Sequence, residues 1–135
     1  MDRRDFLHNQ VRVLVACALC SWQACRKDMQ AGDEKKEIII DLEKALLIPG
    51  SWLRLKEVLV IRIRPGFTAD CFEAVQSFCP HAGGQLEWNV QEQQVICPVH
   101  GSRFSSSGGL LAGPAATSLK RFSVVVKEGR YLVVS

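Results

Sequence analysis

Two short blocks constrain this 135-residue chain more than anything else in it: CPHAG at 79–83 and CPVHGSRF at 97–104. Together they read C-x-H, then fifteen residues, then C-x-x-H. The candidate ligands are Cys79, His81, Cys97 and His100. Each cysteine precedes a proline, and a glycine follows each histidine within two residues, so each block predicts a tight loop. Two such loops can clasp one object between them. Two metal chemistries use this donor set. One is a structural zinc in a Cys₂His₂ tetrahedron; the other is a [2Fe–2S] centre in which two histidines replace two cysteines on one iron.

Ligand count does not separate the two, but spacing does. Zinc fingers usually keep like ligands together, C-x₂₋₄-C and then H-x₃₋₅-H. Here each loop carries one Cys and one His, so each loop can send one ligand to each of two irons. Gly83 lies in the first block, and Gly101, Ser102 and Phe104 lie in the second. Downstream, SSGGLLAGPA at 106–115 supplies a glycine-rich turn and a proline-containing third loop. On these residues, within 77–115, the chain resembles the Rieske iron–sulfur family. The resemblance implies one [2Fe–2S] cluster per chain, with Cys79 and Cys97 on one iron and His81 and His100 on the other. Ser102, Gly83, Gly101 and Pro114 would surround it.

Neutral imidazoles in place of two thiolates leave such a cluster less negative, which raises its potential above that of an all-cysteine centre. Reduction should also raise the histidine pKa values, so the potential is expected to fall as pH rises. Many respiratory members of the family carry two further cysteines that tie the cluster loops together. The corresponding positions here are Gly84 and Val99, which cannot form that bond. Ser102 matches a family serine that donates its hydroxyl toward a cluster sulfide. Phe104 stands where higher-potential members have a tyrosine donor and reads as a packing residue. One donor of two is kept, which places the expected potential between the low and the high types. Leu110, Leu111 and Pro114 are expected to shield the cluster from water.

The N-terminus reads as an export signal. Arg3-Arg4 followed by Phe6-Leu7 resembles a twin-arginine segment, and the apolar run from Val13 to Trp22 suits a signal core while being short for a bilayer span. Ser-Trp-Gln-Ala-Cys at 21–25 resembles a loose lipoprotein box, with Cys25 as the lipidated residue; Cys17 and Cys20 read as apolar filler. This implies an exported bacterial protein, periplasmic or anchored to the membrane facing the periplasm. The domain reading is signal and anchor at 1–25, linker at 26–37, and a Rieske domain at 38–135. The cluster loops fall at 77–84 and 97–109 and the proline loop at 112–116. Cys71 is left without a disulfide partner and reads as a buried small hydrophobe.

The rest of the chain is strand-like. Ile38-Ile39-Ile40 begins strand-like sequence, and short β-type runs recur at 51–55, 58–63, 71–78, 95–96, 122–126 and 131–134, with Glu128-Gly129 marking a hairpin. Leu42 to Leu47 reads as a brief helical turn. Val58, Val60 and Arg62 alternate with Leu59, Ile61 and Ile63, which predicts one inward face. The expected fold is all-β, a small antiparallel β-sandwich carrying a two-loop cluster-binding subdomain.

Seventeen Lys and Arg against fourteen Asp and Glu give no basic stripe and argue against a nucleic-acid partner. An oxygenase would need a mononuclear iron held by two His and a carboxylate. Only three histidines exist, and two are committed to the loops. The expectation is therefore a one-electron carrier between a redox-protein donor and acceptor, with no small-molecule substrate. The alternative is a ferredoxin component or the small subunit of a Rieske-dependent oxygenase or oxidase.

Overall fold

Runs of Val, Ile, Leu and Phe broken every few residues by turn formers favour short strands over helices. The computed structural model describes residues 36–135, and ten strands form there. They are β1 (Ile38–Asp41), β2 (Trp52–Leu55), β3 (Val58–Arg62), β4 (Phe72–Gln76) and β5 (Glu87–Asn89), then β6 (Gln94–Ile96), β7 (Arg103–Ser105), β8 (Leu110–Ala112), β9 (Val124–Lys127) and β10 (Tyr131–Val134). Every pairing is antiparallel. The three sheets run β1-β10-β9, β2-β3-β4 and β5-β6-β7-β8. The expected twin-arginine segment, Cys17, Cys20, the candidate lipidation residue Cys25 and the expected linker up to residue 35 lie outside the described residues. No helix among the described residues is long and apolar enough to cross a membrane.

The β9–β10 hairpin forms where Glu128-Gly129 predicted it. Arg130 N–H donates to the Lys127 carbonyl at 3.1 Å, and Glu128 and Gly129 have φ of 55° and 62°. Two positive φ values give the turn whose twist matches that of the flanking strands.

β3 departs from expectation. The alternation predicted one inward face, yet all five of its residues are buried. Val58 and Val60 join a core with Ile40, Leu42, Phe72, Ala74, Leu132 and Val134. Leu59 and Ile61 join a second core with Val75, Leu86, Trp88, Val95 and Phe104. The β2-β3-β4 sheet is thus the middle layer, covered on both sides. Arg62 made the strand look amphipathic, but both terminal nitrogens of its guanidinium are met internally, and only its buried Nε–H lacks a partner among the described residues. The guanidinium donates to the carbonyls of Leu46 at 2.9 Å, Leu47 at 2.7 Å and Gly66 at 2.9 Å, and lies 4.8 Å from the Phe67 ring centroid. Those bonds pin the two loops that close the far end of the sheet. The brief helical turn expected after β1 is one turn long, closed by the Lys44 and Ala45 amides on the Asp41 carbonyl.

Cys71 is buried as expected, but it ends a single 3₁₀ turn, Ala69–Cys71, and does not begin β4. Its thiol donates to the Pro65 carbonyl at 3.3 Å. The second core is the one that matters for the site, because it also contains Cys79 and Cys97. Both loops therefore grow directly out of packed strands, one after β4 and the other after β6.

Candidate metal centre

The first loop is anchored before it begins. Ser77, fully buried, donates its N–H to the Glu57 carbonyl at 2.8 Å and its Oγ–H to the Lys56 carbonyl at 2.7 Å. Leu86 N–H returns to the Ser77 carbonyl at 2.8 Å, and Phe78 pairs with Gln85. Inside this stem, Cys79 N–H donates to the Gly84 carbonyl at 2.7 Å and Gly83 N–H to the Cys79 carbonyl at 2.8 Å. The second loop repeats the arrangement: Cys97 N–H to the Ser102 carbonyl and Gly101 N–H to the Cys97 carbonyl, both at 2.9 Å. In each loop the residue four beyond the cysteine is a glycine at positive φ, 72° for Gly83 and 76° for Gly101. Proline fixes φ just after each cysteine, and glycine alone closes the turn without steric cost.

The structure places the candidate ligands as two pairs, the thiols in one buried core and the imidazoles together outside it. Cys79 and Cys97 are buried free thiols, 3% and 1% exposed. His81 and His100 are exposed, with ring centroids 4.8 Å apart and planes at 82°, edge to face. The loops touch through Gly84. A Cβ added there would stand 3.0 Å from Cys97 Sγ and 2.7 Å from Val99 Cγ2. Gly84 and Val99 therefore face each other where the family's stapling cysteines would sit, joined by contact alone.

Donor chemistry can now be tested against the two metals. A structural zinc needs a compact tetrahedron around one ion. The donors are instead graded, two thiols inward and two imidazoles outward, which suits a two-iron group with one iron buried and the other near solvent. Ser102 is a further sign. Its side chain is fully buried, and its oxygen accepts from Ala115 N–H at 3.1 Å. Among the described residues no protein acceptor takes its hydrogen, which leaves one buried donor free beside the loops.

The Rieske [2Fe–2S] domain family model matches residues 22–123. The chain belongs to the Rieske [2Fe–2S] domain family. It is 41% identical over 59 residues to the cytochrome b6-f complex iron–sulfur subunit of Synechococcus elongatus, 44% of this chain and 33% of that subunit. Among solved structures it resembles the plasma membrane Rieske protein of Synechocystis PCC 6803. That match has 26% identity and a TM-score of 0.53, over 63% of this chain and 85% of that one. It shares a fold with the ferredoxin of carbazole 1,9a-dioxygenase from Nocardioides aromaticivorans IC177, with a TM-score of 0.54 and 24% identity, over 73% and 96% of the two chains. The chain thus spans about a third of the curated subunit it matches. The cluster that the motif implied is the family's cofactor, and the domain is an electron-transfer domain.

Other sequence-derived residues of this Rieske domain sort unevenly. Phe104 is fully buried in the second core, as a packing residue should be. Leu110, Leu111 and Pro114, the residues expected to shield the centre, lie at the surface. β8 turns its flank outward, and the cover over Ser102 comes from Gly113 and Ala115 on either side of Pro114. A Cβ on Gly113 would stand 2.5 Å from Ser102 Cα, so the third loop lies flat on the second. Ala115, 5% exposed, supplies the N–H that Ser102 accepts. Gly113 was legible as a Gly-Pro turn; Ala115 gave no signal. Near the first loop, a hydrogen bond with Lys36 and its like charge hold the Lys56 ammonium below its ordinary value.

Proposed function

We propose that this protein is a one-electron carrier that uses Cys79, Cys97, His81 and His100 as the four ligands of its cluster. The two cysteines take the inner iron and the two histidines the outer one. The observation that supports this reading is the placement of two buried thiols and two paired, exposed imidazoles on hydrogen-bonded loops of the same design. A bound [2Fe–2S] cluster supplies a site that accepts and releases single electrons. The chain's own residues do the rest. Pro80, Pro98, Gly83 and Gly101 hold the ligands in place, and the second core excludes water behind the cysteines. The imidazole edges present the closest approach for a redox-protein partner, and each keeps a ring nitrogen able to hold or release a proton. Ser102 directs a hydrogen-bond donor toward the inner side.

The twin arginines and Cys25 support export and membrane anchoring on the periplasmic side, in service of a respiratory or other oxidoreductase partner. Gly84 and Val99, which leave the loops without a covalent tie, favour a second reading: a ferredoxin component or small subunit of an oxygenase or oxidase. Cell fractionation of the full chain and a Cys25→Ser variant separates the two. Membrane attachment lost in the variant supports the anchored carrier, and soluble cytosolic protein in both supports the ferredoxin. For the ligands, anaerobically purified His81→Cys and Cys97→Ser should lose the native spectrum. If either kept it unchanged, that residue's assignment would fail.

A further inference from the structure

The first loop has no covalent tie to the second, yet its position is fixed from a third direction. Arg54 lies on β2, opposite Leu59 of β3, and reaches across to the chain leaving the loop. Nη1 donates to Gln85 Oε1 at 2.9 Å, and Nη2 donates to the Leu86 carbonyl. Leu86 is fully buried and bonds back through its N–H to Ser77. Gly84, two residues earlier, takes the Cys79 N–H and lies against Cys97 Sγ. Both arms of the stem are therefore held by one hairpin: Ser77 by Lys56 and Glu57 in the β2–β3 turn, and Gln85-Leu86 by Arg54.

The rest of the Arg54 side chain is only partly met. Its guanidinium sits 5.5 Å from the Trp52 ring centroid. Its Nε–H is buried and has no partner among the described residues. Leaving a buried donor unmet has a cost. The side chain accepts that cost while keeping the two acceptors on the loop. Only a planar fork reaches both acceptors at once, and the guanidinium stays charged at any working pH.

We infer that Arg54 is a positioning residue for the first cluster loop. It stands in for the missing covalent tie by holding that loop against the β2–β3 hairpin. It also sets a fixed positive charge at the stem of the first loop that favours the reduced, more negative state of the centre. Partial burial screens this charge less than a surface charge. The inference rests on the cluster reading above.

The full-chain holoprotein tests it with Arg54→Met, which removes charge and fork, and Arg54→Lys, which keeps charge and loses the fork. Two quantities are read at equal iron content: the midpoint potential, and the rate of cluster loss to a chelator. Arg54→Met is expected to lower the reduction equilibrium constant about threefold or more, about 28 mV at 59 mV per tenfold. It should also lose the cluster several-fold faster. Arg54→Lys should keep the wild-type potential and yet lose the cluster faster than wild type. If Arg54→Met loads fully and matches wild type in potential, Arg54 is a structural residue only and the inference is overturned. If Arg54→Met does not load, Arg54→Lys decides: faster loss at unchanged potential supports the inference, and a wild-type rate overturns it. A wild-type protein that holds no iron and sulfide would instead sink the cluster reading.

Discussion

Replacing Ser102 with alanine removes one oxygen and tests two bonds at once. The oxygen accepts Ala115 N–H at 3.1 Å, and the hydrogen is free to donate toward the cluster. A hydrogen bond to a charged group contributes about 1.5–3 kcal/mol. If half of that is gained only in the reduced state, the differential is about 0.75–1.5 kcal/mol, or roughly 30–65 mV for one electron. Ser102→Ala is expected to lower the potential by that amount. The lost acceptor for Ala115 N–H costs about 1–3 kcal/mol of stability as well. That cost is common to both oxidation states, so it drops out of the potential. The assay is therefore a paired one: a redox titration followed by EPR at matched iron content, and urea denaturation of the same sample. Lower stability with an unchanged potential would refute the reasoning, because Ser102 would then serve the third loop alone.

Three further outcomes follow from the packing. Gly113→Ala puts a methyl on Ser102 backbone at a φ of 101° and should lose about 2–4 kcal/mol in urea denaturation. Phe104→Ala empties a fully buried site and should cost about 3–5 kcal/mol in the same assay. Asp41 is held below its ordinary 3.8, first by its hydrogen bonds to Arg130, at 3.1 Å to Nε and 2.8 Å to Nη2. It therefore binds its proton less readily folded than unfolded. The stabilisation is complete above the unfolded value and is lost as pH falls through the folded one. Thermal unfolding from pH 7 downward should show Asp41→Asn less stable than wild type near neutrality, with the gap closing below pH 3.8.

The centre was legible in the sequence because each of its loops is local. Cysteine, proline, histidine and glycine lie within five residues of one another in each block, so local spacing sets each loop's Cys-His pair. Seven of the strand runs, β1 at Ile38-Ile39-Ile40 among them, were legible as apolar clusters between turn formers. β5, β7 and β8 were not, since three residues are too few for a period to show. β3 was misread because Arg62 looked like a solvent marker; only the carbonyls of Leu46, Leu47 and Gly66 reveal that its charge is met inside. The contacts of Ser102 with Ala115 and of Arg54 with Leu86 span 13 and 32 residues. No local pattern encodes them.

Low-temperature EPR of the dithionite-reduced protein, taken through a redox titration at several pH values, tests the central claim most directly. The account predicts a rhombic signal of low average g, whose potential falls as pH rises once the imidazoles titrate. An EPR-silent protein carrying stoichiometric zinc would contradict it.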